Sequence, residues 1–216
     1  MESLESELDR ARALDVADLA DAVETIGFEC TRCGACCTAE DDDAHTATVF
    51  PDEVRRLQAA TGDGWRDVAR PMPYGLSDGP DGPSGETFEW ALATDGCGDC
   101  TFYAETEGQG RCTVHDDRPS ICATYPFSVS LGGTSQPMGE AVDEAGLVRA
   151  HECEGLGREI SRADAEELAR ELRARAIREL EEAIAVRDRY RPADPNPGEV
   201  VVHDSEGAKD RDGRPR

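Results

Sequence analysis

The run Cys30-Thr31-Arg32-Cys33-Gly34-Ala35-Cys36-Cys37 places four thiols within eight residues of a polar, glycine-containing stretch. Free cysteine packs as a small buried hydrophobe and scatters along core periodicities, which this spacing does not follow. The chain holds nine cysteines, and the other five are Cys97, Cys100, Cys112, Cys122 and Cys153. An odd number argues against complete disulfide pairing. The thiols point to a metal, and to a fold built around a small, irregular, cysteine-rich centre.

Within the first cluster, Cys30-x2-Cys33 and Cys33-x2-Cys36 both have knuckle spacing, in which a tight turn presents two thiolates to one ion. Cys33 can serve two separate ions only by bridging them. Neighbouring side chains tend to diverge, so joint ligation of one ion by Cys36 and Cys37 is awkward. The four thiols suit two sites, or one polynuclear cluster, better than one closed tetrahedron. The Cys30, Cys33, Cys36 spacing also reproduces the three-cysteine run of ferredoxin-type iron–sulfur sites, although Thr38 stands where a proline usually ends that run. Cys97-x2-Cys100 is a further knuckle. His115, three residues after Cys112, and His151, two before Cys153, are candidate donors weighed against plain turn histidines. His45 and His203 receive no role.

Composition narrows the function classes. The net charge is -24, from 47 acidic and 23 basic residues, and Lys209 is the only lysine. Acidic residues are spread diffusely, with Asp41-Asp42-Asp43 the only run, as expected of a halophilic surface whose self-repulsion salt screens. With no basic patch, nucleic acid is not an expected partner. No apolar stretch approaches the ~20 residues of a membrane span, and Met1-Glu2-Ser3-Leu4-Glu5 lacks the basic start of a signal peptide. The expected location is the cytoplasm, where a cysteine framework more often binds metal than forms structural disulfides. Only 5% of residues are aromatic, which leaves a stabilising part for metal.

The periodicity predicts an α+β fold with helices at both ends. Leu4, Leu8, Val16, Leu19, Val23 and Ile26 predict an N-terminal helix over 4–26, stopped by Gly27. Pro51 opens a predicted helix over 52–60 that ends at Gly62. Residues 71–85 carry four prolines and four glycines and read as loop. Short strands are expected at 47–50, 87–93, 111–114, 127–131 and 147–150. The clearest helix runs from Arg162 to Tyr190, capped by Ser161, with Leu168, Leu172, Ile177, Leu180 and Ile184 on its apolar side. It serves packing or, alternatively, offers a partner-binding surface over 162–190. From Arg191 onward proline, glycine and aspartate predict disorder. The organisation expected is thus a helix over 1–27, a cysteine-cluster domain over 28–157, a long helix over 158–190 and a tail over 191–216.

Four linked motifs, covering roughly residues 28–157, resemble the zinc- or iron-chelating CxxCxxCC family, also called YkgJ-like. They are Cys30-x2-Cys33-Gly34-x-Cys36-Cys37; Cys100-Thr101-Phe102-Tyr103 followed by Cys112-Thr113-Val114-His115; Arg118-Pro119-x2-Cys122-x2-Tyr125-Pro126-Phe127; and Cys153-Glu154-Gly155-Leu156-Gly157. The resemblance implies eight metal ligands: Cys30, Cys33, Cys36, Cys37, Cys100, Cys112, Cys122 and Cys153, with Cys97 an addition. It implies zinc or iron, including a 4Fe–4S cluster, and with iron a redox or electron-transfer task. A similar cluster occurs in flagellin lysine N-methylases, so a protein-modifying iron–sulfur enzyme and a structural zinc adaptor are the alternatives. No Ser/His/Asp set, phosphate loop or dinucleotide fingerprint supports catalysis by side chains alone. Pro119 and Pro126 bias Arg118 and Tyr125 towards extended backbone and aim Cys122. Arg118 either offsets thiolate charge or pairs with Asp116 or Asp117.

Overall fold

A computed structural model describes residues 3–39, 43–132, 139–143 and 146–216. Among these lie six α-helices: α1 (Leu4–Ala13), α2 (Val16–Ile26), α3 (Pro51–Thr61), α4 (Trp65–Val68), α5 (Ser120–Thr124) and α6 (Arg162–Arg189). Twelve short strands accompany them: β1 (Thr48–Val49), β2 (Ala69–Pro71), β3 (Leu76–Ser77), β4 (Ser84–Phe88), β5 (Trp90–Leu92), β6 (Tyr103–Thr106), β7 (Gln109–Cys112), β8 (Phe127–Val129), β9 (Glu140–Ala141), β10 (Val148–Ala150), β11 (Val200–Asp204) and β12 (Gly207–Lys209). The fold is α+β, with helices at the start and a long helix late in the chain. The acidic run Asp41-Asp42-Asp43 lies largely outside the described residues.

The chain falls into two compact units, 1–33 with 120–183 and 34–119 with 184–216. Each is assembled from stretches distant in sequence, a pairing that local periodicity does not encode.

The first unit contains α1, α2, α5, most of α6 and the sheet β8-β10-β9. The expected helix over 4–26 is two helices. Leu14 leaves helical geometry, and Asp15 restarts the chain by accepting the Ala17 amide at 2.8 Å. Gly27, at φ 74, ends α2 as expected, its amide donating to the Val23 carbonyl. Leu19, Val23, Phe127 and Val148 form the core, with Phe28 edge-on to Phe127 at 5.6 Å between ring centres. Ser161 caps α6 by accepting the Asp164 amide at 3.2 Å. The stripe that α6 buries is Ala165, Ala169, Leu172, Ala176 and Leu180. Of the five apolar residues expected there, Leu168, Ile177 and Ile184 are half-buried, because alanines take the closest approach. Arg162 pairs with Asp21 and Glu24 of α2, and Arg175 Nη1 donates to Thr124 Oγ1 at 2.9 Å, fixing the end of α5.

The second unit holds α3, α4, the sheets β1-β5-β2 and β12-β11-β4-β3, and the hairpin β6-β7. The expected strand over 87–93 is divided between β4 and β5, since Glu89 adopts φ 68 and turns the chain. Pro51 starts α3 and Gly62, at φ 82, ends it. The disordered tail expected from residue 191 is overturned. Val200, Val201 and Val202 are buried to 2% exposure or less, and β11 runs parallel to β4 with Val202 opposite Thr87. Flanking proline, glycine and aspartate masked a run of β-branched residues typical of a strand covered on both faces. Each buried valine contributes about 1.5–3 kcal/mol. His203 and Lys209 are buried with it: His203 Nε2 lies 3.0 Å from Glu86 Oε2, and Lys209 Nζ lies 2.8 Å from Asp204 Oδ2. Trp90 Nε1 donates to the same Asp204 carboxylate at 2.8 Å.

Candidate metal centre

The division between units falls inside the cysteine run, between Cys33 and Gly34. Gly34 opens a 3-10 turn over Ala35–Cys37 that the Cys37 amide closes on the Gly34 carbonyl at 2.7 Å. Only glycine fits at position 34. Its φ is 85, and a Cβ there would lie 2.4 Å from the Tyr103 hydroxyl. The turn sends both thiols to the same side, with Cys36 Sγ and Cys37 Sγ 3.8 Å apart. The expected divergence of these adjacent side chains is therefore corrected, because the tight turn curves the backbone around them.

Two distant cysteines join this pair within the second unit. The Cys100 amide donates to the Cys37 carbonyl at 2.8 Å, and the Tyr103 amide donates to the Cys100 carbonyl at 2.9 Å. Tyr103 on β6 faces Cys112 on β7 across the hairpin. Turn, loop and hairpin thus bring Cys36, Cys37, Cys100 and Cys112 into one neighbourhood.

Electrostatics differentiates these thiols. The Cys37 hydrogen bond is the main cause that brings Cys36 down to about 7; its own backbone amide and Arg118 assist, while burial opposes. Burial pushes Cys100 up to about 11, with the nearby Cys112 and Cys36 thiolates adding to it. Burial also raises Cys112, against which Arg118 acts. Of Cys36, Cys100 and Cys112, Cys36 is accordingly the thiol that ionises most readily. Arg118 forms its hydrogen bond with His115, Nη1 to Nε2 at 3.0 Å, while its charge favours the Cys36 and Cys112 thiolates. Its backbone is extended, at φ -57 and ψ 146, as the following proline requires.

The remaining four cysteines of the resemblance, Cys30, Cys33, Cys122 and Cys153, belong to the first unit. Phe28 bridges Leu156 in antiparallel fashion, and the Glu29 amide donates to the Gly155 carbonyl at 3.1 Å. Gly155 is required there, since a Cβ would meet the Glu29 carbonyl oxygen at 2.3 Å. The Gly155 amide in turn points at Cys153 Sγ at 3.4 Å. Cys122 sits on α5, and just beyond it the Tyr125 hydroxyl donates to the Glu152 carbonyl at 2.9 Å. All nine cysteines are thiols rather than disulfides.

The other candidates separate clearly. Cys97 is exposed, on a loop where Asp95 Oδ1 accepts its amide at 2.8 Å. His115 spends Nε2 on Arg118, and the His151 ring lies tilted against Tyr125, 6.1 Å between ring centres. His45, given no role by the sequence, lies beside the Cys36 backbone, with burial as the main cause holding it below the usual histidine value. No local motif marks it, because loop closure through the His45 amide and the Gly98 carbonyl, at 2.9 Å, places it there. His203 is likewise in a strand rather than a tail.

Thiolates are the donors that zinc, copper(I) and iron–sulfur clusters select, so the donor chemistry suits zinc or iron. The thiols are not drawn round a common point: among the described residues, no three His, Cys, Asp or Glu side chains form a closed ion-binding group. The fit thus lies in donor type and neighbourhood.

An α+β scaffold whose loops gather thiols in this way defines a cysteine-rich metal-chelating class of protein. The chain belongs to the CxxCxxCC family, described as "Putative zinc- or iron-chelating domain", whose profile matches residues 29–154. No curated protein and no solved structure matches it. Among the described residues, no helix is long and apolar enough to cross a membrane.

Proposed function

We propose that this protein chelates zinc or iron through the thiolates of Cys30, Cys33, Cys36, Cys37, Cys100, Cys112, Cys122 and Cys153, and that iron, as a 4Fe–4S cluster, gives it an electron-transfer task. The observation that carries the reading is the Cys36–Cys37 sulfur pair, 3.8 Å apart, with Cys100 bonded through its backbone to the same turn. Cys36, already near neutrality in its ionisation, offers a thiolate to the incoming ion without a large proton cost. Arg118 offsets part of the negative charge that several thiolates accumulate. Gly34 and Tyr103 hold the turn in place. The chain's Cys97, His115 and His151 stand outside the ligand set.

When bound, zinc would lock the loops as a structural ion, whereas iron would add one-electron chemistry. Either metal contributes directly to folding, since the unfolded chain has no assembled site. Purification without oxygen, followed by metal analysis and electron paramagnetic resonance, tests the proposal. Stoichiometric zinc or iron is expected, with a resonance signal on reduction if iron is present. Freshly reduced protein that takes up neither metal overturns it.

A further inference from the structure

We infer that the eight motif cysteines form two separate four-thiolate centres, each holding its own metal group and each taking a single ion when the metal is a thiophilic divalent cation such as zinc or cobalt(II). Cys30, Cys33, Cys122 and Cys153 make the first, and Cys36, Cys37, Cys100 and Cys112 the second. The inference rests on the metal-binding reading above and deepens it by fixing how the ligands are shared.

The two compact units divide the eight cysteines four and four, with the cut between Cys33 and Gly34. The Cys30-x2-Cys33 knuckle therefore goes with one unit and the Cys36-Cys37 pair with the other. Cys33 need not bridge two ions. Four thiolates are also the full complement of a closed tetrahedral site.

Each set has its own supports. In the second unit, the 3.8 Å between Cys36 Sγ and Cys37 Sγ equals the edge of a tetrahedron, about 3.8 Å for metal–sulfur bonds of ~2.3 Å. Cys100 is tied to that turn by its amide, and Cys112 stands opposite Tyr103. In the first unit, Cys30 and Cys153 flank the short ladder made by the Phe28–Leu156 bridge and the Glu29–Gly155 hydrogen bond. The His151 amide donates to the Pro126 carbonyl at 2.9 Å, which with the Tyr125–Glu152 bond ties the segment after Cys122 to the residues before Cys153. Arg32, inside the knuckle, holds φ 58, a left-handed conformation that turns the chain between Cys30 and Cys33. Cys97, exposed on its own loop, joins neither set.

The test titrates the reduced, metal-free chain of residues 1–216 with cobalt(II) under nitrogen, following visible absorption and counting bound ions by native mass spectrometry. Two cobalt ions are expected for the natural chain. The Cys122→Ser/Cys153→Ser variant and the Cys100→Ser/Cys112→Ser variant should each retain one. One ion per natural chain, or loss of both ions in either double variant, overturns the two-centre assignment while leaving metal binding intact. A natural chain that binds no cobalt and no zinc overturns the metal-binding reading itself. The count on the natural chain decides the matter even where a variant fails to fold.

Discussion

The guanidinium of Arg118 donates to the imidazole of His115, Nη1 to Nε2 at 3.0 Å. A guanidinium only donates, so Nε2 is the unprotonated nitrogen and the ring proton sits on Nδ1, 3.4 Å from Asp116 Oδ1. The pair aims a fixed positive charge at Cys36 and Cys112. Replacing Arg118 by Gln removes a cation that favours thiolate, so the ionisation of Cys36 moves upward. Arg118 is the smallest of the contributions to Cys36, so alkylation of metal-free protein by iodoacetamide at pH 7 should slow by about two- to threefold. An unchanged rate would show that the charge does not reach the sulfur.

A larger effect belongs to Cys37, the main cause of the lowered Cys36 value. In metal-free Cys37→Ala protein, Cys36 should move from about 7 towards its ordinary 9.0. The pH profile of its alkylation, read by mass spectrometry on the Cys36 peptide, then shifts to higher pH. At pH 7 the thiolate population falls from about half to about 1% over the full shift. A profile with its midpoint still near neutrality would refute the hydrogen bond as the cause.

The buried cluster of Lys209, Asp204 and Trp90 predicts a stability effect remote from the thiols. Lys209 and Asp204 are each 3% exposed, and Trp90 Nε1 shares the carboxylate. Lys209→Met leaves that carboxylate in the interior without its cation. Removing one partner of a buried pair costs about 3–5 kcal/mol. Urea unfolding followed by tryptophan fluorescence should show that loss, and an unchanged midpoint would sink the assignment.

The Cys30–Cys37 run announced the chemistry because knuckle spacing is local: two residues between thiols fix a turn whatever the rest of the chain does. The ends of the N-terminal, central and long C-terminal helical segments were legible for the same reason, since Gly27, Pro51, Gly62 and Ser161 act within one turn of themselves, whereas the break at Leu14–Asp15 was not. Where the fold depended on distant pairing, sequence reading failed. Residues 200–204 looked like part of a polar tail, yet they form a buried strand because β4, more than a hundred residues earlier, supplies the neighbouring edge. His45 carried no signal, since only loop closure brings it to Cys36.

By itself the sequence determined the donor type, the family and the local turns, because side-chain chemistry and short-range backbone preference need no partner. The tertiary structure alone decided which thiols are neighbours. It closed a turn so that Cys36 and Cys37 face together, set Cys100 beside them, and joined the residues before Cys30 to those after Cys153. Those proximities come from long-range hydrogen bonding and burial, which act only once separate stretches of the chain have packed.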